Sequence, residues 1–183
     1  MVHWLRPHGN NWKFNTNSSF MTNQRKGGAG GIVRNISGNM TMAFAYPTQF
    51  YTNNFSEAQV AVIRITWCCD QQFDSLELDM DSMIIVQLIQ GSVKPPWSLH
   101  NLIENIQKKM NQRNIQVNHC IREDNEVIDA LAKYATTISD ERILYTENDL
   151  PGKARDPLRM NKLHLPNFRR KTKKHSTWYY DPS

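Results

Sequence analysis

Acidic side chains at three separated points of the sequence could together hold divalent metal ions. Glu57 lies near the start of the first long predicted helix, Asp81 ends a predicted strand, and Asp129 falls in the first turns of a later predicted helix. Mg²⁺ prefers oxygen ligands, and paired ions stabilise the attacking and leaving oxygens of phosphoryl transfer. A site of that kind takes three or four converging carboxylates, and a fourth position should lie on the first strand. At that position the chain has Asn17.

Each of these acidic residues also has an explanation without chemistry. Glu57 follows Asn54 by three residues, which is the spacing of a helix N-cap and its acidic partner. Asp81 could cap the helix that follows it. Asp129 precedes Lys133 by four residues, as in a helix-surface ion pair. The chemical interpretation therefore depends on the joint occurrence of these residues.

The hydrophobic pattern predicts the elements that must position these side chains. Residues 12–18 alternate between an apolar and a polar face, as a strand does, and two more β-prone segments follow. The glycine-rich run 27–31 is interpreted as a hairpin feature, since no phosphate-binding motif follows it. The order β-β-β-α-β-α-α-β-α predicts an α/β fold with a five-stranded mixed sheet flanked by helices. The helical segments are 54–70, 82–90, 97–110 and 125–135, and the strand-like segments after the first are 32–34, 40–46, 73–81 and 115–119.

The motifs around these positions resemble those of plant ribonuclease H-like proteins related to the ribonuclease H domain of reverse transcriptases. Residues 12–18, WKFNTNS, are similar to that family's W-K-x-N-x-D-G, and residues 52–57, TNNFSE, to its T-N-N-x-x-E. Asp81-Ser82 looks like its D-S pair, and residues 119–133 resemble H-x-x-R-E-x-N-x-x-A-D-x-L-A-K. The resemblance covers roughly residues 4–136 and implies a ribonuclease H-like fold.

The same resemblance implies an activity and a set of site residues. The activity is cleavage of the RNA strand of RNA/DNA hybrids with two Mg²⁺ or Mn²⁺ ions. The implied metal ligands are Glu57, Asp81 and Asp129, with Asn17 at the fourth position, and Arg122 is the implied catalytic helper. The implied contacts to nucleic acid come from Asn53, Asn54, Ser82, Arg122 and Asn125.

Asn17 is the decisive departure from the family pattern, which has a metal-bridging aspartate there and a glycine in place of Ser18. A unit charge pair at 4 Å is worth about 4 kcal/mol at an effective dielectric constant of about 20. Loss of that charge predicts impaired or absent catalysis, although an amide keeps one neutral acceptor oxygen. Asp79 is not expected to substitute, because it lies roughly 6.6 Å along the strand from Asp81.

The basic charge of the chain is concentrated at its C-terminal end. Residues 1–150 carry a net charge of −2, and residues 151–183 carry +7. We therefore expect an N-terminal lead-in over 1–11, a ribonuclease H-like domain over 12–137, and an extended, largely disordered basic tail over 138–183. The tail is suited to nucleic acid or to nuclear import through Arg169, Arg170, Lys171, Lys173 and Lys174.

Three hypotheses for the function follow. The first is a hybrid-cleaving endoribonuclease with weakened or absent activity. The second is a non-catalytic module that binds RNA/DNA hybrids, and the third is an inert retroelement remnant. No apolar run approaches the roughly 20 residues of a membrane helix, so we expect an intracellular protein, in the nucleus or the cytoplasm. We also expect it to be a monomer whose partner is nucleic acid.

Overall fold

A six-stranded mixed sheet organises the part of the chain that the structure, a computed structural model, describes. That part comprises residues 4–9, 11–21, 26–48, 58, 61–63, 65, 66, 68, 73, 75–120, 125–163 and 165. The strands are β1 (Trp12–Met21), β2 (Lys26–Arg34), β3 (Met40–Thr48), β4 (Ser75–Met80), β5 (Asn114–His119) and β6 (Arg142–Leu144), in the order β5-β4-β1-β2-β3-β6.

Helices cover both faces of this sheet. On one face, the helical residues 58, 61–63, 65, 66 and 68, called α1 here, join α2 (Met83–Ile89) and α3 (Trp97–Gln112) in the larger hydrophobic core. On the other face, α4 (Glu126–Ala135) and α5 (Gly152–Lys162) form a smaller core with β2 and β3. No helix in the described ranges is both long and apolar enough to cross a lipid bilayer.

The predicted fold class is confirmed, with one more strand than expected. β1, β2 and β3 form the predicted antiparallel meander, and β4 and β5 join it in parallel through helical connections. The sixth strand, β6, pairs antiparallel with residues 43–45 of β3. Its three residues are too short to show a period of two, which is why the sequence pattern did not reveal it.

The prediction of an extended tail from residue 138 is wrong up to residue 163. β6 and α5 occupy this segment, and α5 buries Ala154 and Leu158 in the smaller core together with Leu150. The prolines suggested breaks, but Pro151 is the N-cap of α5. Backbone N–H groups at the start of a helix have no acceptor within the helix, so a proline without one is tolerated there. The prediction of a disordered tail beyond residue 165 lies outside the described residues.

Helix α4 lies directly on the backbone of β2, at two glycines. A Cβ atom on Gly30 would lie 2.6 Å from the backbone nitrogen of Ala132, and one on Gly28 would lie 2.3 Å from its carbonyl oxygen. Real Cβ atoms do not approach other atoms so closely. The glycine-rich run therefore belongs to a strand of the β1–β2 hairpin, where the absence of side chains lets a helix pack against the sheet.

Replacing Gly30 with alanine should destabilise the fold by about 1–3 kcal/mol, because the added methyl group meets helix backbone that cannot move aside cheaply. The free energy of unfolding in urea measures this change. Gly152→Ala is the matched control, since no atom lies within 4 Å of the added Cβ at the start of α5. A Gly30→Ala protein as stable as the control would contradict the close packing of α4.

Candidate metal and nucleic-acid site

Asn17 and Asp81 are brought side by side by the parallel pairing of β1 and β4. The last residues paired in this ladder are Thr16 and Met80, and Asn17 and Asp81 come directly after them. Asn17 is buried, at 3% exposure, and its Oδ1 accepts a hydrogen bond of 2.7 Å from the backbone N–H of Ser18. An aspartate could accept the same hydrogen bond, so the strand is shaped to hold either residue.

Asp129 reaches the same corner through the packing of α4. Gly30 is the cross-strand partner of Asn17, and the α4 backbone from Ile128 to Ala132 lies directly on Gly30. The turn of α4 that carries Asp129 therefore lies beside Asn17. The Oδ2 atom of Asp129 is 2.5 Å from the Nζ atom of Lys133, so this carboxylate already has a cationic partner.

The structure thus brings three of the four predicted metal positions to one corner, where β4 ends beside the middle of β1 under α4. Glu57, the fourth, lies outside the described residues. The same holds for Asn53, Asn54 and Arg122 and for the basic run Arg169, Arg170, Lys171, Lys173 and Lys174, whose roles stay predictions.

The residues in this corner offer the types of ligand atom that a divalent ion takes, but they carry little negative charge to balance that of the ion. Asp81 and Asp129 offer carboxylate oxygens and Asn17 an amide oxygen, which are the hard ligands that Mg²⁺ takes. Within the described residues, however, no three His, Cys, Asp or Glu side chains gather closely enough to hold an ion. Asp79 does not supply the missing charge, because its Oδ2 is 3.0 Å from the Nζ atom of the buried Lys13.

Ser82 and Asn125, the two predicted nucleic-acid contacts near the corner, differ in how exposed their side chains are. Ser82 is the N-cap of α2 and is half-buried, and its hydroxyl makes no capping hydrogen bond, so it stays a candidate contact. Asn125 is fully buried at the start of α4 and donates a hydrogen bond of 3.3 Å to the Thr16 carbonyl oxygen. A fully buried amide offers no surface to nucleic acid, so Asn125 is a tether between α4 and β1 rather than a contact.

The sequence model of one protein family, described as reverse transcriptase-like, matches residues 15–135. The match covers both strands and the helix that build the corner. The chain belongs to the reverse transcriptase-like family. No curated protein matches the sequence of this reverse transcriptase-like chain.

Solved structures of ribonuclease H domains share the fold of this reverse transcriptase-like domain. The N-terminal ribonuclease H domain of a Mycobacterium tuberculosis protein is 19% identical, with a TM-score of 0.63 over 70% of this chain and 95% of that one. Ribonuclease H1 of Halobacterium salinarum is 20% identical, with a TM-score of 0.63 over 68% and 96%. LC11-RNase H1 from compost, solved with an RNA/DNA hybrid, is 23% identical, with a TM-score of 0.61 over 69% and 97%.

The predicted polar face of β1, together with that of β4, is buried in this reverse transcriptase-like domain. Residues 4–9 lie across that face, and the Trp4 ring stacks on the Arg34 guanidinium, with 3.7 Å between them. Asn15 accepts hydrogen bonds from both, at 3.3 Å from Trp4 Nε1 and 2.7 Å from Arg34 Nη2. The polar side chains buried there are Lys13, Asn15, Arg34, Glu77 and Asp79.

Glu77 shows how this layer holds charge away from water. Its side chain is fully buried, and burial by itself raises the pKa of a carboxyl group. Its Oε1 accepts hydrogen bonds from the His8 backbone N–H, at 2.6 Å, and from the Asn11 amide, at 3.1 Å, and Lys13 lies 3.7 Å from Oε2. Together these partners outweigh burial and lower the pKa of Glu77 below its ordinary value of 4.5.

Glu77 should therefore contribute stability that depends on pH. Because its pKa is lower in the folded state, this stability is fully present above about pH 4.5 and is lost as the pH falls through the folded pKa. We expect Glu77→Gln to be less stable than the parent in urea at pH 7, with a gap that narrows below pH 4.5.

Glu104→Gln is the control for this experiment, because Glu104 pairs with Lys108 at the exposed surface of α3. Solvent screens that pair, so its removal should change stability little at either pH. A gap between Glu77→Gln and the parent that stays constant or widens toward low pH would contradict an ionised Glu77 in the folded state.

Proposed function

We propose that this reverse transcriptase-like domain binds RNA/DNA hybrids at the corner formed by Asn17, Asp81 and Asp129. The observation that carries the proposal is the convergence of β1, β4 and the first turns of α4 at this corner. LC11-RNase H1 and a foamy viral protease-reverse transcriptase, which share the fold, have both been solved in complex with RNA/DNA hybrid. The motif likeness to plant and retroelement-related proteins supports the same substrate class.

We further propose that any cleavage of the RNA strand is weak because of Asn17. Asp81, Asp129 and Glu57 would hold Mg²⁺ or Mn²⁺, with the Asn17 amide oxygen as a neutral fourth donor. A bound divalent ion activates water and stabilises the developing charge of phosphoryl transfer. The chain's own residues fix the corner: Asn125 ties the start of α4 to β1, and Arg122 is proposed to stabilise charge at the phosphate.

A non-catalytic hybrid-binding module is the second candidate function. The observation that favours it is the Lys133–Asp129 ion pair, which balances one of the two described carboxylates while Asn17 removes the charge of a third. A retroelement remnant without a role would bind hybrid poorly.

We propose that the protein acts as a monomer in the nucleus or in the cytoplasm. The basic residues near the C-terminus suit either location.

Asn17→Asp should create or strongly increase cleavage of a labelled RNA/DNA hybrid in Mg²⁺ or Mn²⁺. The expected gain is about two to three orders of magnitude, since about 4 kcal/mol per charge pair corresponds to roughly a thousandfold in rate. The substitution changes the size of the side chain little and preserves the hydrogen bond from Ser18. The released RNA fragments are measured on a denaturing gel.

The control for this experiment is the double variant Asn17→Asp, Asp81→Asn, which should be inactive. Cleavage by Asn17→Asp alone identifies an intact ribonuclease H scaffold that is disabled at one ligand. If the parent already cleaves at a comparable rate that depends on Asp81, the claim that Asn17 impairs the site is wrong.

Removal of residues 169–174 should weaken hybrid binding most at low salt. Each phosphate contact that is lost should reduce the slope of log affinity against log salt concentration by about 0.9. Fluorescence anisotropy between about 50 and 300 mM salt measures both quantities. An unchanged slope would show that the basic run makes no phosphate contact.

A further inference from the structure

A groove of about 540 Å³ lies between α4 and α5 and reaches the candidate site. From α4 it is lined by residues that include Asp129, Lys133 and Tyr134, and from α5 by residues that include Gly152, Lys153 and Pro157. The groove therefore begins at a predicted metal ligand and continues over the exposed side of α4 toward α5.

The α5 wall of this groove lies beyond the part of the chain that matches the family. That match ends at residue 135, whereas α5 spans Gly152–Lys162. Leu150, Ala154 and Leu158 anchor this wall in the smaller core, so its position relative to α4 is fixed by packing. The groove therefore has one wall inside the family match and one wall outside it.

The cationic side chains of α5 differ in whether they have a partner within the protein. Lys162 pairs with Glu147, and Arg155 donates a hydrogen bond of 2.8 Å to the Leu150 carbonyl oxygen. Lys153 lines the groove and is exposed, and it forms no ion pair or hydrogen bond with any residue in the described ranges. It is therefore free to meet an anion that enters the groove.

The surroundings of Lys153 leave room for such an anion. No atom lies within 4 Å of the position that a Cβ on Gly152 would occupy, so the surface beside Lys153 is open. The first turn of α5 contains no acidic residue, and the partial positive charge of the helix N-terminus adds to that of Lys153. On the α4 side, Lys133 offsets the charge of Asp129, and Glu126 at the start of α4 also lines the groove.

We propose that the α4–α5 groove is an extension of the nucleic-acid interface, in which Lys153 contacts a backbone phosphate of the strand held at Asp81 and Asp129. This inference rests on the proposed function. A strand that reaches Asp129 lies at the mouth of the groove, and a polyphosphate backbone is the partner that matches an unpaired cation there. Contacts of this type strengthen binding without selecting a base sequence.

The test compares Lys153→Gln with Arg159→Gln in the full chain. Both substitutions remove one positive charge from an exposed position of α5, but Arg159 does not line the groove. Binding of a fluorescent RNA/DNA hybrid is measured over a salt series, with Ca²⁺ to prevent cleavage. Lys153→Gln should reduce the salt slope by about 0.9, which corresponds to about eightfold weaker binding at 0.1 M salt relative to 1 M. Arg159→Gln should leave the slope unchanged, and Lys153→Arg should preserve it.

The outcomes separate this inference from the function on which it rests. If the parent binds hybrid and the salt slopes of Lys153→Gln and Arg159→Gln are equal, the groove proposal is overturned and hybrid binding stands. This holds whether both slopes fall or neither does. Absence of binding by the parent overturns both. A loss specific to Lys153→Gln that also appears with double-stranded DNA supports the contact as one to phosphate, and circular dichroism of each variant checks that α5 remains folded.

Discussion

The contact between α4 and the glycines of β2 is the constraint on which the candidate site depends. A helix normally packs on the side chains of a sheet, but Gly28 and Gly30 have none, so the backbone around Ala132 approaches the strand itself. Gly30 is also the cross-strand neighbour of Asn17. The same approach that packs the helix therefore sets the turn bearing Asp129 beside Asn17 of β1. Fold stability and site geometry are coupled through this one contact.

A second constraint comes from the polar layer next to the site. Lys13, Asn15 and Asp79 occupy the same sheet face as Asn17 and are buried, and residues 4–9 pack against this layer. Burial of charge is costly unless each group is paired and hydrogen-bonded. The N-terminal segment supplies donors and a stacking ring for this purpose, so it belongs to the folded domain rather than leading into it.

Charge balance at the corner links the structure to the proposed function. A metal-dependent nuclease concentrates negative charge where it binds its ions, whereas in this chain an amide takes one acidic position and Lys133 offsets another. The chain shares the fold of ribonuclease H domains, and Asn17 stands where the motif likeness implies an aspartate. That combination explains why binding and cleavage have to be considered separately, since a nucleic-acid backbone needs shape and cations more than it needs a metal site.

The sequence by itself determined the fold class, the order of elements through α4 and the location of Asn17 in the first strand, because alternation and motif spacing are local properties of the chain. Only the tertiary structure decided that the polar face of β1 is buried, that Asn125 is a tether, and that the chain after residue 138 forms β6 and α5. These outcomes depend on which distant segment covers a surface. A period of two indicates two faces of a strand, but it does not say whether water or Trp4 lies against the polar one.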